Sequence, residues 1–446
     1  PTGMSPVLLF ILGVVFVAIG VAVSIALHEV GHLVPAKLFK VRVTKYMIGF
    51  GPTLWSKKKG ETEYGFKALP LGGYVSMIGM YPPNKEDGAV RPSSTGMFQT
   101  LATEARSMAH EEVGPGDENR VFYKLPVWKK IIVMLGGPAM NMLIGLILLA
   151  VLLMGFGMAT ATTTIADVSK CQVAAGETVD PDSADCKLTP AAAAGLQPND
   201  TITSFDGKAV TSWDELTGWI RASAGKDVPI TVERNGSTVE TTVTPVLSSR
   251  PVVGADGRPE QDSNGVLKYQ EVGFLGIGAQ SELVPQPASA VLPMAGENIK
   301  QISGVIFNLP ARVVGVAKAA FSEEPRDPNG PISVVGVGRV AGEVAAMEQV
   351  PMQARIGTLI GLLAGLNFAL AIFNLIPLLP LDGGHVAGAL YEGARRRVAK
   401  LLGKPDPGAF DIAKLLPATY VVAALLMAMG ALLIYADIVK PVNIFG

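Results

Sequence analysis

The chain has 446 residues, 49% of them hydrophobic and only 17% charged, and its mean hydropathy is +0.37. So apolar a composition excludes an ordinary soluble enzyme and predicts a multi-pass α-helical membrane protein with room for one soluble insert. The formal net charge of −1, with no basic stripe interleaved with aromatic residues, gives no reason to expect a nucleic acid partner.

Pro1-Thr2-Gly3 reads as an artificial remnant ahead of a natural start at Met4. Residues 4–40 are predicted to form the first transmembrane helix, its apolar run starting at Pro6 and reaching about Leu33, long enough for a tilted span. No basic region precedes the run and no small-residue cleavage site closes it, which argues against a signal peptide. Near its end stands His28-Glu29-Val30-Gly31-His32. On a helix, His28 and His32 project from one face and can hold one zinc ion, with Glu29 beside it as general base towards water. A buried histidine pair is the plainer alternative, but ionisable side chains inside a membrane span are costly and point to function.

Residues 41–80 switch to short β-like runs broken by glycine, with a turn at the Lys57-Lys58-Lys59-Gly60-Glu61 tip. This predicts a membrane-associated β-hairpin whose edge can accept an extended peptide, or more plainly a solvated hairpin. Residues 81–126 form a polar cytoplasmic loop, in which Met97, Leu101, Ala105 and Met108 fall at helical spacing. Residues 127–160 hold the second span, with Trp128, Lys129 and Lys130 as interface anchors. Gly136-Gly137-Pro138 permits close approach of another helix, and Asn141 is either turned towards the catalytic helix or an ordinary packing asparagine.

Residues 161–280 are polar enough to fold by themselves as an extracytoplasmic α+β domain, and 281–352 make a helical connector. Within the domain, Trp213 to Ile220 reads as a helix, strands flank the Asn235-Gly236 turn, Ser248 to Lys268 reads as a loop and Gly273 to Ile277 as a closing strand. Cys171 and Cys186 either pair or stay as free thiols. Residues 353–390 carry the third span and Leu381-Asp382-Gly383-Gly384-His385, followed by a cytoplasmic loop at 391–416 and a fourth span at 417–440. Asp382 is the expected third zinc ligand and His385 its rival; two histidines with one carboxylate and an open position suit a catalytic zinc. Lysine and arginine cluster between spans one and two and between spans three and four, which sets both connections, and with them His28 and Asp382, at the cytoplasmic side.

His28-Glu29-Val30-Gly31-His32, the Phe50-Gly51-Pro52 to Gly72-Gly73-Tyr74-Val75 hairpin, Gly137-Pro138 with Asn141, and Asn374 to Leu381-Asp382-Gly383 together resemble the site-2 protease family of intramembrane zinc metalloproteases, in its bacterial RseP-like branch. Ala194-Gly195-Leu196, Pro198, Asp200 and Asp206-Gly207 are similar to a PDZ domain. The resemblance implies a Zn2+-dependent endopeptidase in the cell membrane. Its substrate would be a single-span membrane protein of the anti-sigma factor type, already trimmed by an upstream site-1 type protease. It also implies that the hairpin, with Gly72 and Gly73, holds the unwound substrate as an added strand, that Asn374 contacts that strand, and that the PDZ-like domain gates access. A single PDZ-like domain and the long 81–124 insertion depart from the RseP pattern. A membrane zinc transporter or a catalytically silent PDZ scaffold are the alternatives; neither needs a glutamate beside the first ligand.

Overall fold

The computed structural model describes residues 5–82, 113–172, 186–252, 268–322, 326–327 and 330–442. The chain divides into two compact units, Pro1–Phe156 with Gln286–Gly446, and Gly157–Pro285.

The first unit is built on helices long and apolar enough to cross a membrane. Among the described residues there are four such spans: Pro6–Leu38, Val127–Phe156, Met352–Asn374 and Ile412–Val439. Helix α1 (Pro6–Leu38) starts where the Ser5 hydroxyl accepts from the Leu8 N–H and Pro6 supplies a preset φ. It stops where Lys40 takes a left-handed φ of 63° and Val41 N–H returns to Ala36 O. The chain then enters strands β1 (Val43–Lys59) and β2 (Thr62–Met77). These do not form a plain hairpin of short runs. Each strand bends back on itself, so that Met47 pairs with both Tyr74 and Gly65, and Gly65 pairs in turn with Ser56. Segments 73–77, 43–48, 63–67 and 53–59 therefore lie side by side in that order, leaving 73–77 as an edge.

Helix α2 (Val127–Ala150) runs on into a π-helical turn at Val151–Phe156. It crosses α1 where Gly31 faces Gly136, so closely that a Cβ on either would overlap the other's backbone. Leu33, Ala36, Val43, Met77, Phe122 and Val133 bury one core shared by α1, the base of the sheet and α2. Arg120 clamps the sheet's turn by a two-pronged bond to Glu61, at 2.6 and 2.8 Å, and holds that carboxyl below its ordinary range.

In the second unit, β3 (Met158–Val168), β4 (Thr201–Phe205), β6 (Val228–Arg234), β7 (Ser237–Val243) and β10 (Ile277–Val284) form a sheet in the order β10-β3-β4-β6-β7, with β5 (Lys208–Ala209) on β4. Pro190–Ala193 makes a single helical turn, α3, and Trp213–Ala222 makes α4, capped by Ser212. Ile165, Ile202, Phe205, Leu216, Ile230 and Val232 fill the core, each worth roughly 1.5–3 kcal/mol of burial. Asp200, fully buried, receives two charged bonds of 2.7 Å from Arg234, which keeps its carboxyl below the usual range. Cys171 and Cys186 are joined as a disulfide.

Three of the expected boundaries are corrected. Ser248 does not open a loop: β8 (Val246–Pro251) is a strand paired with β9 (Tyr269–Phe274), because the two share a ladder from Val246–Phe274 to Pro251–Tyr269. The strand that closes the main sheet is β10, which pairs with β3 out to Val284–Met158; the helical connector thus begins beyond 281. That connector comprises α5 (Val291–Phe307) and α6 (Leu309–Phe321), bent by 67° at their junction, and α7 (Val334–Ala346), which packs against α1. After α8 (Met352–Asn374), residues 391–401 are no loop but the second half of α9 (Asp382–Leu401), held to α2 by the buried pair Glu392–Lys130. Helix α10 (Leu416–Val439) completes the fourth span. The Met97 to Met108 stripe lies outside the described residues.

Candidate metal centre

His28 and His32 sit one turn apart on α1, as their spacing predicts. Asp382 comes from the far end of the chain. It is the first residue of α9, where the helix dipole favours a negative charge. The preceding loop doubles back on itself, closed by Leu381 N–H to Leu378 O at 2.9 Å. At Gly383 and Gly384 a Cβ would overlap backbone atoms of 375–379. The two glycines after Asp382 thus allow the tight turn that brings its carboxylate to α1.

Three donor atoms then converge. His28 Nε2 and His32 Nε2 are 3.2 Å apart, and Asp382 Oδ2 lies 3.3 Å from the first and 3.4 Å from the second. Bonds of about 2.0–2.2 Å at tetrahedral angles space zinc donors roughly 3.3–3.6 Å apart, so the set fits that ion. Asp382 Oδ2 is buried and accepts no hydrogen bond among the described residues, which is how a carboxylate oxygen meant for a cation stands. The three are a metal-capable group by chemistry as well as position.

The other ring nitrogens are anchored. His32 Nδ1 is 2.8 Å from Val133 O on α2, and His28 Nδ1 is bonded to Asn141 Oδ1. Asn141 Nδ2 donates to Asn367 Oδ1 at 2.9 Å, and Asn367 Nδ2 donates both to Ser24 Oγ at 3.0 Å and to Leu363 O at 2.9 Å. Ser24 finishes on Gly20 O at 2.8 Å. Asn141 is thus no simple packing residue. Asn367 and Ser24 went unread in the sequence; the signal was the same as for Asn141, an amide or hydroxyl inside an apolar span. Gly137 forms the site's remaining wall, because a Cβ there would sit 2.6 Å from His28 Nε2.

A cleft of about 690 Å³ opens onto these atoms. Glu29, Gly72, Gly73, Asn374 and His385 all line it. Glu29 lies between the metal-ligating face and the sheet edge, such that a Cβ on Gly73 would come within 2.9 Å of its Cγ. Gly72 has a φ of +124°, which an L side chain rarely adopts. Tyr46 fixes the sheet against the helix through its hydroxyl, which donates to Ala26 O at 2.7 Å. His385 stands outside the three-donor group, its Nδ1 buried and without a hydrogen-bond partner among the described residues.

The profile of peptidase family M50 matches residues 16–404. The zinc metalloprotease Rip1 of Mycobacterium tuberculosis is 33% identical over 449 aligned residues, covering 98% of this chain and all of the relative. Rip1 of Mycolicibacterium smegmatis is 32% identical over 98% of this chain and all of its own length, and the metalloprotease MmpA of Caulobacter vibrioides 28% identical over 87% of this chain and 88% of its own.

Proposed function

Since the chain belongs to peptidase family M50, the site-2 proteases, and is a zinc metalloprotease of the membrane, we propose that it cleaves single-span membrane proteins within the bilayer, with His28, His32 and Asp382 as zinc ligands and Glu29 as general base. One observation carries this reading: the three-donor group, Glu29 and an open sheet edge all line one cleft among apolar helices. Zinc bound there supplies Lewis acidity, lowering the pKa of water towards neutrality and polarising the scissile carbonyl.

The rest falls to the chain's own groups. Glu29 takes the proton from the attacking water and returns it to the leaving amine. Asn374, the last residue of α8, faces the same cleft with an amide able to donate to a substrate carbonyl. A helical substrate has its carbonyls engaged in hydrogen bonds and must unwind before attack. Once extended, it adds to the edge at 73–77 as a further strand. Gly72 and Gly73 keep that edge bare of side chains at the point where the strand passes Glu29.

The proposed substrates are of the anti-sigma factor type, shortened beforehand by a separate site-1 type protease. The second unit is proposed to be a PDZ-like domain on the extracytoplasmic side that restrains intact substrates, with the metal near the cytoplasmic face; the lysine and arginine bias of the connecting segments supports that orientation. Cleavage of a detergent-solubilised single-span fragment by purified protein tests the reading. Wild type should cut, while chelator-treated protein should not. Glu29→Gln should lose at least about 10²–10⁴-fold in rate while holding one zinc per chain. Normal cleavage by Glu29→Gln would remove that residue as the base.

A further inference from the structure

The hydrogen-bonded chain behind His28 has a fixed polarity, and we propose that Asn367 is the positioning residue that thereby decides which ring nitrogen of His28 is bare. Leu363 O and Gly20 O are main-chain carbonyls and only accept. The Ser24 proton goes to Gly20 O, so Ser24 Oγ must accept from its other neighbour. Asn367 therefore owes a proton to both Leu363 O and Ser24 Oγ, and its NH2 group must face them. Its Oδ1 is left towards Asn141, which can answer only with Nδ2–H. Asn141 Oδ1 then faces His28, and only a protonated Nδ1 satisfies it.

A neutral imidazole carrying its proton on Nδ1 has its lone pair on Nε2, the atom turned to His32 and Asp382. The opposite tautomer would set two lone pairs face to face in the protein interior: Ser24, Asn141 and Asn367 are 4%, 0% and 1% exposed. Two main-chain carbonyls, Leu363 O on α8 and, through Ser24, Gly20 O on α1, thus fix by way of Asn367 and Asn141 the state of a ligand on α1. His32 obtains the same result from a single bond to Val133 O. No activity needs to be invoked; the inference rests only on His28 being a zinc ligand.

The test is the zinc dissociation constant of the full-length, detergent-purified chain, measured by competition with a chromogenic chelator. Asn367→Leu removes the groups that orient Asn141, whose amide is then free to turn its NH2 towards His28. Zinc binding should weaken about 10–100-fold. Adding Asn141→Asp to Asn367→Leu supplies an acceptor with no N–H to misdirect, and should recover most of the loss. A purely structural role for Asn367 predicts no such rescue, since the second change restores no packing. Wild-type affinity in Asn367→Leu, or a double variant no tighter than Asn367→Leu, would overturn the proposal. Failure of the wild-type chain to bind zinc would overturn the ligand assignment together with it.

Discussion

At the scale of single residues, the site depends as much on absent side chains as on present ones. Gly137 brings the backbone of α2 against both imidazoles, so Gly137→Ala should push them apart and lower zinc affinity at least about tenfold, read as metal retained per chain after dialysis. Gly73→Val should behave differently. Its side chain would enter the space between Glu29 and the open edge, so cleavage should fall sharply while zinc content stays unchanged. His28, Glu29 and His32 are legible in the sequence because helical spacing and an uncharged apolar setting leave few other uses for them. Asp382 is legible on another ground, a carboxylate between apolar flanks that needs a partner. Asn367 and Ser24 are not, because a lone polar group in a span reads equally well as helix glue; their meaning lies in partners 343 and 226 positions away.

At the scale of elements, the spans could be read from hydropathy, but the sheet and the connector could not. The β runs between Val43 and Met77 are alike in being short and broken by glycine, and nothing in that pattern says that the strands fold back to leave 73–77 outermost. Helix α7 escapes for another reason: Val334–Ala346 is short and rich in glycine and alanine, and its role comes from packing on α1, where Gly342 admits the ring of Phe10. Its position is secured from the fourth span. Asp437 of α10 accepts from Ser333 N–H, the residue capping α7, and pairs with Arg326; Arg326 and Asp437 are both buried. Arg326→Met leaves that carboxylate without its counter-charge, and should cost about 3–5 kcal/mol in thermal or denaturant unfolding. At the α1–α2 crossing, Gly31→Leu meets backbone already at its Cβ and should cost more than the roughly 1–3 kcal/mol usual for overpacking, measured the same way.

At the scale of the molecule, the two units carry different liabilities. In the second, Arg234 holds Asp200 below its ordinary range, so this pair stabilises the unit above the unfolded carboxylate value of about 3.9, and the contribution is lost as pH falls through the lower folded value. Asp200→Asn should therefore lower the unfolding temperature of the second unit at pH 7, and the gap from wild type should shrink progressively as the pH falls below the unfolded carboxylate value of about 3.9. The division itself was visible in the polarity of the chain beyond residue 161, whereas its true seams were not, since β3 and β10 extend the insert at both ends to the pair Met158–Val284. Those seams have a further meaning. The two ends of the insert leave side by side from one strand pair, and in the first unit Gln286 N–H is bonded to Leu153 O at 2.8 Å. Each half is thus sewn shut along its own margin. Removing 158–284 and bridging the gap with a short turn should leave a chain that still binds one zinc, and descendants of such a protein can trade one inserted module for another without redesigning the half built to hold the metal.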